Sequence, residues 1–343
     1  EGAQVYKTLK SLINTNYPKS KLNIYAVDDG SVDDTWMWMQ KAKEEFGDQI
    51  IILKQPENKG KREALYRCLK CIKSEVVITV DSDSIVDKDT IMNMVAPFMK
   101  DQNCGAVAGN VKILNDEGLI PKMLQVGFMF SFEFIRSAQS VDGTVLCTPG
   151  ALSAYRMKTV KKCLEPWVNQ QFMGETSHIG EDRAMTNMIL KQGYHVKFQK
   201  NANVYTEVPI KYNALRKMFT RWERSNVREN IMMSKYVFKN FRNSSKFASR
   251  VYFINQWVKL IIAIPSLFLM LLFLLSQPLL FLSITAISIL IFASIPMFFY
   301  YRKSKQIIKS LYAYTYAVYG LFLLFWITPY AMLTASQNSW LTR

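Results

Sequence analysis

Short apolar runs alternate with amphipathic segments along the first two hundred residues. Runs rich in Val, Ile and Leu are typical of buried strands, and apolar positions spaced by three and four residues are typical of helices. The predicted strands are 22–27, 50–54, 76–80 and 105–110, and the predicted helices are 4–13, 35–46, 63–72, 88–100 and 184–191. Strands that alternate with helices predict the α/β class, with a mainly parallel sheet flanked by helices. Because such folds normally open on a strand, we expect a first strand before residue 1.

Two carboxylates stand directly after the run 76–80, at Asp81 and Asp83. An unbroken apolar run indicates a strand buried on both faces, and ligands of such sheets bind at the carboxyl ends of the strands. Two neighbouring acids repel one another unless a cation joins them, and a hard divalent ion that carries a substrate phosphate suits them. Taken alone, a pair with this spacing is more commonly a loop with helix-capping aspartates.

A donor with a metal-bound phosphate needs acids for the metal, cations for a leaving diphosphate and a base for the nucleophile. Asp81 and Asp83 fit the first role, and Asp182, beside Glu181 at a predicted helix start, fits the third. The candidate cations are Lys61 with Arg62, or Arg221 with Arg224. Asp182 fits a plain helix cap equally well. Trp222 fits both a platform for a sugar ring and an anchor at a membrane interface.

The last ninety residues are mostly apolar, in contrast to the mixed and charged residues before them. The apolar stretches 252–275, 278–300 and 311–333 are each long enough to cross about 30 Å of hydrocarbon. Basic residues precede the first stretch and occupy the link 301–310, so the positive-inside rule predicts a multi-pass membrane protein with a cytosolic N-terminal domain. The third stretch contains Pro329 and fits either a span or a re-entrant segment.

These patterns divide the chain into a cytosolic domain over 1–207, interfacial amphipathic helices over 208–250 and a transmembrane region over 251–343. The basic, aromatic segment 212–240 suits a helix in the membrane interface, with a soluble amphipathic helix as the alternative. The net charge of +16 fits membrane lipids and anionic substrates. It does not indicate nucleic acid, because no basic stretch outside the membrane-proximal part is interleaved with stacking aromatics. The five cysteines form no disulfide framework and are expected to be reduced thiols.

Four motifs follow one another in the order Asp28-Asp29-Gly30, Asp81-Ser82-Asp83, Gly180-Glu181-Asp182 and Arg221-Trp222, ahead of the apolar stretches. In this order they resemble the processive family 2 glycosyltransferases, which include chitin, cellulose and hyaluronan synthases. Further stretches resemble the class I hyaluronan synthases, most closely their chlorella-virus branch. These stretches are SAQS at 137–140, Cys147 with Pro149-Gly150, GEDRAMTN at 180–187, RWERSNVRE at 221–229 and WLTR at 340–343.

The resemblance implies a GT-A-like fold and a donor half of the site. Asp28 or Asp29 would contact the uridine of a UDP-sugar, and Lys61 would contact the phosphates of the nucleotide. Asp81 would bind the donor nucleotide, and Asp83 would ligate Mg²⁺ or Mn²⁺. The implied donors are UDP-GlcNAc and UDP-GlcA.

The resemblance also implies an acceptor half, which holds the nascent polysaccharide. Asp182 would be the general base, and Trp222 would stack on the acceptor sugar. Arg221 would hold the leaving diphosphate. Cys147 would line the acceptor end of the site without acting as a nucleophile. The family needs no protein partner for this activity.

Trp340 and Arg343 would close the site from a cytosolic loop, which favours a re-entrant third stretch. The family pattern Q-x-x-R-W is interrupted here, because Met218 stands in place of the glutamine. Two other functions fit the residues. A chitin-type synthase would use UDP-GlcNAc alone, and a non-catalytic, membrane-anchored nucleotide-binding module would need Asp81 and Asp83 but neither Asp182 nor Trp222.

Overall fold

A computed structural model describes residues 1–337. The N-terminal part contains α1 (Ala3–Ile13), β1 (Ile24–Asp28), α2 (Thr35–Phe46), β2 (Ile50–Lys54), α3 (Lys61–Cys71), β3 (Val76–Val80), β4 (Ser84–Val86), α4 (Thr90–Lys100), β5 (Cys104–Ile113), α5 (Leu119–Phe130), α6 (Ser137–Val141), β6 (Leu152–Arg156), α7 (Met157–Val168), β7 (Gln171–Phe172), β8 (Glu175–Thr176), α8 (Glu181–Lys191) and β9 (His195–Thr206). A π-helical turn, Ser131–Arg136, joins α5 to α6. The C-terminal part contains α9 (Tyr212–Ser234), α10 (Phe247–Ser276), α11 (Pro278–Ser304), α12 (Ile307–Ser310), α13 (Tyr312–Val318) and α14 (Ile327–Leu333).

The strands described in residues 1–337 form three sheets, of which the largest is mixed and the smallest is the β7-β8 hairpin, so the expectation of a mainly parallel sheet is wrong. β1 and β2 pair in parallel, and a separate five-stranded sheet has the order β3-β6-β5-β9-β4. Within that sheet β5 and β9 are parallel, whereas β6 runs antiparallel to both its neighbours and β4 runs antiparallel to β9. A strand buried on both faces has the same apolar pattern in either direction. The pattern therefore predicts the class but not the sense of each strand.

The longest strand, β9, is absent from the sequence-based prediction. Its polar centre, 199–201, hides a period-two alternation in which Val196 and Phe198 are buried on one side of that centre and Ala202 and Val204 on the other. This alternation is the sequence signal that identifies the strand. β9 matters for the site because its last residue, Thr206, lies beside Asp83.

An open cleft separates the β1-β2 pair from the five-stranded sheet. Every residue of β1 and of β3 lines it, and these two strands belong to different sheets. A strand ahead of residue 1 stays a prediction. The cleft leads directly to the C-terminal ends of β1 and β3, where the carboxylates singled out in the sequence are found.

The C-terminal helices attach to the N-terminal part through α9, whose buried face packs on α8 and α14. Two ion pairs also join the parts: Lys303 near the end of α11 with buried Glu133, and Lys309 with Asp116 at 3.1 Å. α10 and α11 are long and apolar enough to cross a membrane. The stretch 311–333 is broken and bent by 45°, so by length and composition residues 1–337 contain two helices that could cross a membrane, or three if the bent pair counts as one span.

Candidate active site

One cavity of about 1810 Å³ contains every predicted site residue that the structure describes. These residues are Asp28, Asp29, Lys61, Asp81, Asp83, Cys147, Asp182, Arg221 and Trp222. They come from segments up to 194 residues apart in sequence, so the fold brings together the motifs that the sequence analysis could only place in order. Trp340 and Arg343 lie outside the described residues.

The two aspartates after β1 have different surroundings. Both carboxylate oxygens of Asp29 accept hydrogen bonds, from Gln55 Nε2 at 2.5 Å and from the backbone N–H groups of Lys59 and Gly60 at 2.9 and 2.8 Å. Asp29 therefore fixes the loop that starts α3. Asp28 is buried and accepts a bond from Ser31 N through Oδ1, while its Oδ2 has no hydrogen-bond partner among residues 1–337. Asp28 is thus the member of the pair with a buried carboxylate oxygen that has no hydrogen-bond partner among residues 1–337.

Lys61, the first residue of α3, lies between two carboxylates. Its Nζ forms an ion pair with Asp81 Oδ1 and a second with Glu181 Oε1 at 3.0 Å. Burial works against the charged form, but the two carboxylates outweigh it and raise the pKa of Lys61. The lysine is therefore a cation fixed between Asp81 and Glu181.

Asp83 is the candidate metal ligand. Burial, followed by the charge of Asp81, raises the pKa of its carboxyl group. It accepts hydrogen bonds from the Ser84 and Thr206 hydroxyls, at 3.3 and 3.5 Å. No group of three or more His, Cys, Asp or Glu side chains in residues 1–337 is arranged to hold a metal ion. One or two carboxylates suit Mg²⁺ or Mn²⁺ only where a substrate phosphate and water complete the coordination.

Asp182 occupies the first turn of α8 and is held by backbone donors. Its Oδ2 accepts the Gly150 N–H at 3.0 Å, and its Oδ1 accepts the Arg183 N–H at 2.7 Å. Burial, followed by the neighbouring charge of Glu181, raises the pKa of Asp182 to about 6, against the opposing effect of Lys61. A carboxylate with this pKa is ionised at neutral pH and is a stronger base than an ordinary aspartate.

The other wall of the cavity is aromatic and carries a thiol. The Cys147 Sγ lies 4.0 Å from Asp182 Oδ2, and burial together with that carboxylate raises the pKa of the thiol to about 12. The Trp222 ring is 39% exposed, makes an edge contact with Phe219 and lies 6.2 Å from Phe128, centroid to centroid. The cavity that contains Asp182 is therefore also lined by a partly exposed indole and by a thiol that stays protonated at neutral pH.

α9 carries Arg221 beside Trp222, and both line the cavity. Met218, at the position where the related pattern has glutamine, is buried in an apolar cluster with Leu215 and Met123. This position is a core contact in the present chain.

Sequence analysis did not single out three groups that the structure places around Asp182. They are the Gly150 N–H, Arg136 and Gln256. Arg136 lines the cavity from the π-helical turn, where its guanidinium lies 3.8 Å from the centroid of the Phe132 ring. Gln256, in α10, accepts a hydrogen bond from Arg183 at 2.7 Å. The sequence signal that could have identified Gln256 is a polar residue within an apolar helix. Arg136 lies in an ordinary helical pattern, which gives no such signal.

Comparison with known proteins settles the family. Residues 1–225, about two thirds of the chain, match the family model described as glycosyltransferase like family 2. The chain belongs to this family. Similar curated family members include human hyaluronan synthase 2, 35% identical over 173 residues that make up 50% of this chain and 31% of that protein. The hyaluronan synthase of Streptococcus pyogenes is 31% identical over 245 residues, 70% of this chain and 58% of that protein. The chain thus spans less than two thirds of either relative.

A solved structure confirms the fold of this family member. The mannosyltransferase of Pyrobaculum calidifontis, in complex with GDP-Man and Mn²⁺, superposes with a TM-score of 0.63 over 94% of this chain and 84% of that one. At 19% sequence identity this similarity concerns the fold. The predicted GT-A-like α/β domain followed by apolar helices is therefore confirmed, with the mixed sheet described above.

Gly180 controls how closely α8 approaches α9. Its φ is +76°, and a Cβ atom there would lie 2.0 Å from the Ser225 Oγ. Gly174 is a matched control, because its φ is +85° and no atom lies within 4 Å of a Cβ built there. Both alanine variants should lose about 1–2 kcal/mol of stability through the left-handed backbone. We expect Gly180→Ala to lose a further 1–3 kcal/mol and most turnover, because α8 must shift. Thermal unfolding and turnover that do not differ between the two variants would contradict this role.

Proposed function

We propose that this family member is a processive, inverting hyaluronan synthase that polymerises UDP-GlcNAc and UDP-GlcA. The observation that carries the proposal is the position of Asp182, which lines one cavity together with the ion-paired cluster of Lys61, Asp81 and Glu181 and with the aromatic residue Trp222. A sugar transferase needs this arrangement, since the base must reach an acceptor hydroxyl while the donor phosphates lie on the far side.

The donor half accounts for nucleotide binding. Asp28, whose buried Oδ2 has no hydrogen-bond partner among residues 1–337, is the better partner for the uridine, since Asp29 already accepts hydrogen bonds from the loop before α3. Asp81 binds the donor nucleotide, and Lys61 lies where it can contact the phosphates. Arg221 stabilises the departing diphosphate. These cations offset the negative charge that develops on the leaving group.

Asp83 is proposed to hold Mg²⁺ or Mn²⁺. Its buried oxygen donors, next to Asp81 and open to the cavity, match the preference of these ions for carboxylates and phosphates. The solved relative with Mn²⁺ shares this fold and supports the proposal. When bound, such an ion supplies Lewis-acid stabilisation of the diphosphate.

The acceptor half performs the proton transfer. Asp182 takes the proton of the acceptor hydroxyl, whose oxygen attacks the anomeric carbon as the bond to UDP breaks. The proton resides on the Asp182 carboxyl and the electron pair leaves with UDP. One displacement from an α-linked donor gives a β-linkage. Trp222 stacks on the acceptor ring, and the protonated Cys147 thiol lines the site without attacking the donor.

Arg136 favours a uronate-containing polymer over chitin. Its Nη1 donates to the neutral Ser131 hydroxyl at 3.1 Å and its Nε lies 3.5 Å from the Cys147 carbonyl oxygen. Within residues 1–337 no carboxylate forms an ion pair with it, although it lines the cavity beside Asp182. A partly buried guanidinium that has no carboxylate partner within residues 1–337 suits the carboxylate of glucuronate. A polymer of GlcNAc alone has no carboxylate to offer.

The two-donor assay tests this function. Radiolabelled UDP-GlcNAc and UDP-GlcA are supplied separately and together, and we expect long polymer only from the mixture. Arg136→Gln should lower incorporation of both sugars, since each transfer follows the other. Full-length polymer from UDP-GlcNAc alone would establish the chitin-type synthase. Nucleotide binding without any transfer would establish the non-catalytic module.

Membrane insertion and export complete the proposal. α10 and α11 are proposed as two of several spans, with the catalytic domain and the link 301–310 in the cytosol. Gln256 of α10 lines the same cavity as Trp222, so the cavity extends from the acceptor side to the first apolar helix. This continuity supports translocation of the nascent chain past α10. Trp340 and Arg343 remain proposed to close the site; Gln337, just before them, accepts a hydrogen bond from Arg224 of α9 at 2.6 Å.

A further inference from the structure

Glu181 joins the two halves of the site, although it contacts neither the proposed acceptor nor the metal ligand. Adjacent residues on a helix point about 100° apart. At the start of α8, Glu181 accordingly faces Lys61 of the donor half, while Asp182 faces Cys147 and the Gly150 N–H. The two neighbouring carboxylates thus have different partners within one cavity.

The position of Glu181 is fixed from several sides. Its side chain is 9% exposed, and its carbonyl oxygen accepts the Trp167 indole N–H at 2.8 Å. Its Oε1 lies 3.0 Å from Lys61 Nζ, which also pairs with Asp81. A buried carboxylate of this kind is retained only with a charged partner, so the Lys61 contact keeps Glu181 ionised beside Asp182.

We propose that Glu181 is a positioning residue that anchors Lys61 between the two halves of the site and keeps a fixed negative charge beside the base Asp182. The inference rests on the proposed function, in which Asp182 deprotonates the acceptor. Two separable effects follow. The charge of Glu181 keeps Asp182 basic, and its length keeps Lys61 where the donor phosphates arrive.

Other groups around Asp182 contribute to its electrostatic environment. The groups that interact electrostatically with Asp182 are Lys61 and Arg62 of α3, Asp81 after β3, Arg136 of the π-helical turn, Cys147 in the loop before β6 and Tyr155 of β6, and the Arg183 backbone N–H of α8 donates a hydrogen bond to it. Among the acids, Glu181 has the largest influence on Asp182 and raises its pKa more than Asp81 does. Removing the charge of Glu181 should therefore make Asp182 a weaker base.

The experiment compares Glu181→Gln with Glu181→Asp over a range of pH. Glu181→Gln should move the acid limb of the kcat–pH profile to lower pH than in the wild type. It should also lower turnover at neutral pH on the order of tenfold. Glu181→Asp keeps the charge but shortens the reach to Lys61, so we expect an unmoved acid limb and a several-fold higher KM for the UDP-sugar. Glu165→Gln, on α7 with only Tyr66 as its side-chain partner, is the control and should change neither quantity.

Each outcome decides one question. An acid limb of Glu181→Gln at the wild-type position or at higher pH overturns the charge role, even where turnover falls. An unchanged KM for the UDP-sugar in Glu181→Asp overturns the anchoring role. Because this test uses only Glu181→Asp, the anchoring role stays testable if Glu181→Gln does not fold. If instead the wild-type enzyme has no acid limb, or Asp182→Asn stays active, then the proposed function fails and not this inference alone.

Discussion

Asp182→Asn should abolish polymerisation while leaving UDP-sugar binding measurable. The amide keeps the size of the side chain and can still accept the Gly150 N–H, but it cannot take a proton from the acceptor hydroxyl. General-base catalysis contributes about 10²–10⁴-fold, so kcat should fall by that factor. Polymer formation measured by sugar incorporation, with donor binding measured by calorimetry, tests both halves of the expectation.

The pH dependence of the wild-type enzyme provides an independent check of the same assignment. Because the pKa of Asp182 is raised to about 6, the base is ionised above that pH and protonated below it. Turnover should therefore fall as the pH drops through about 6. Asp48→Asn, an exposed aspartate that pairs with Lys43 on the surface, is the matched control and should leave the profile unchanged. Near-normal activity of Asp182→Asn would remove this residue from the mechanism.

Removal of divalent metal should stop turnover, and Asp83→Asn should reproduce much of that loss. Lewis-acid stabilisation of a leaving diphosphate is worth several kcal/mol, or on the order of 10³-fold in rate. Activity assayed in a chelator, then restored by added Mg²⁺ or Mn²⁺, measures the first effect. The chelator should also weaken UDP binding, since the ion is expected to bridge the protein and the phosphates.

The Asp83→Asn variant distinguishes a role of Asp83 as a metal ligand from a purely structural role. Asp83→Asn should raise the metal concentration that gives half-maximal activity, because one anionic ligand is replaced by a neutral amide. A variant with low activity but an unchanged metal requirement would assign Asp83 a structural role through Ser84 and Thr206. Full activity of the wild-type enzyme in the chelator would exclude the metal role altogether.

Local patterns in the sequence predicted much of the secondary structure. The predicted bounds of the helix 35–46 and of the strands 50–54 and 76–80 coincide with α2, β2 and β3. The order of the motifs also led to the right family and fold. These features depend on periodicity and on short motifs, which each segment carries by itself. Strand direction depends on neighbours that are distant in sequence, so the antiparallel pairing of β6 with β3 and β5 could not be read from the pattern, and β6 and β9 themselves are absent from the predicted strands.

The sequence by itself determined the class of the fold, the apolar helices and the residue types available for chemistry. The tertiary structure decided what those residues do to one another. Asp29, one of the two predicted uridine contacts, accepts hydrogen bonds from the loop before α3, and Glu181, the neighbour of the base, pairs with Lys61, 120 positions earlier. Hydrogen bonds and charge interactions depend on distances of a few ångströms, and only the packing of α3, α8 and α9 around one cavity sets those distances.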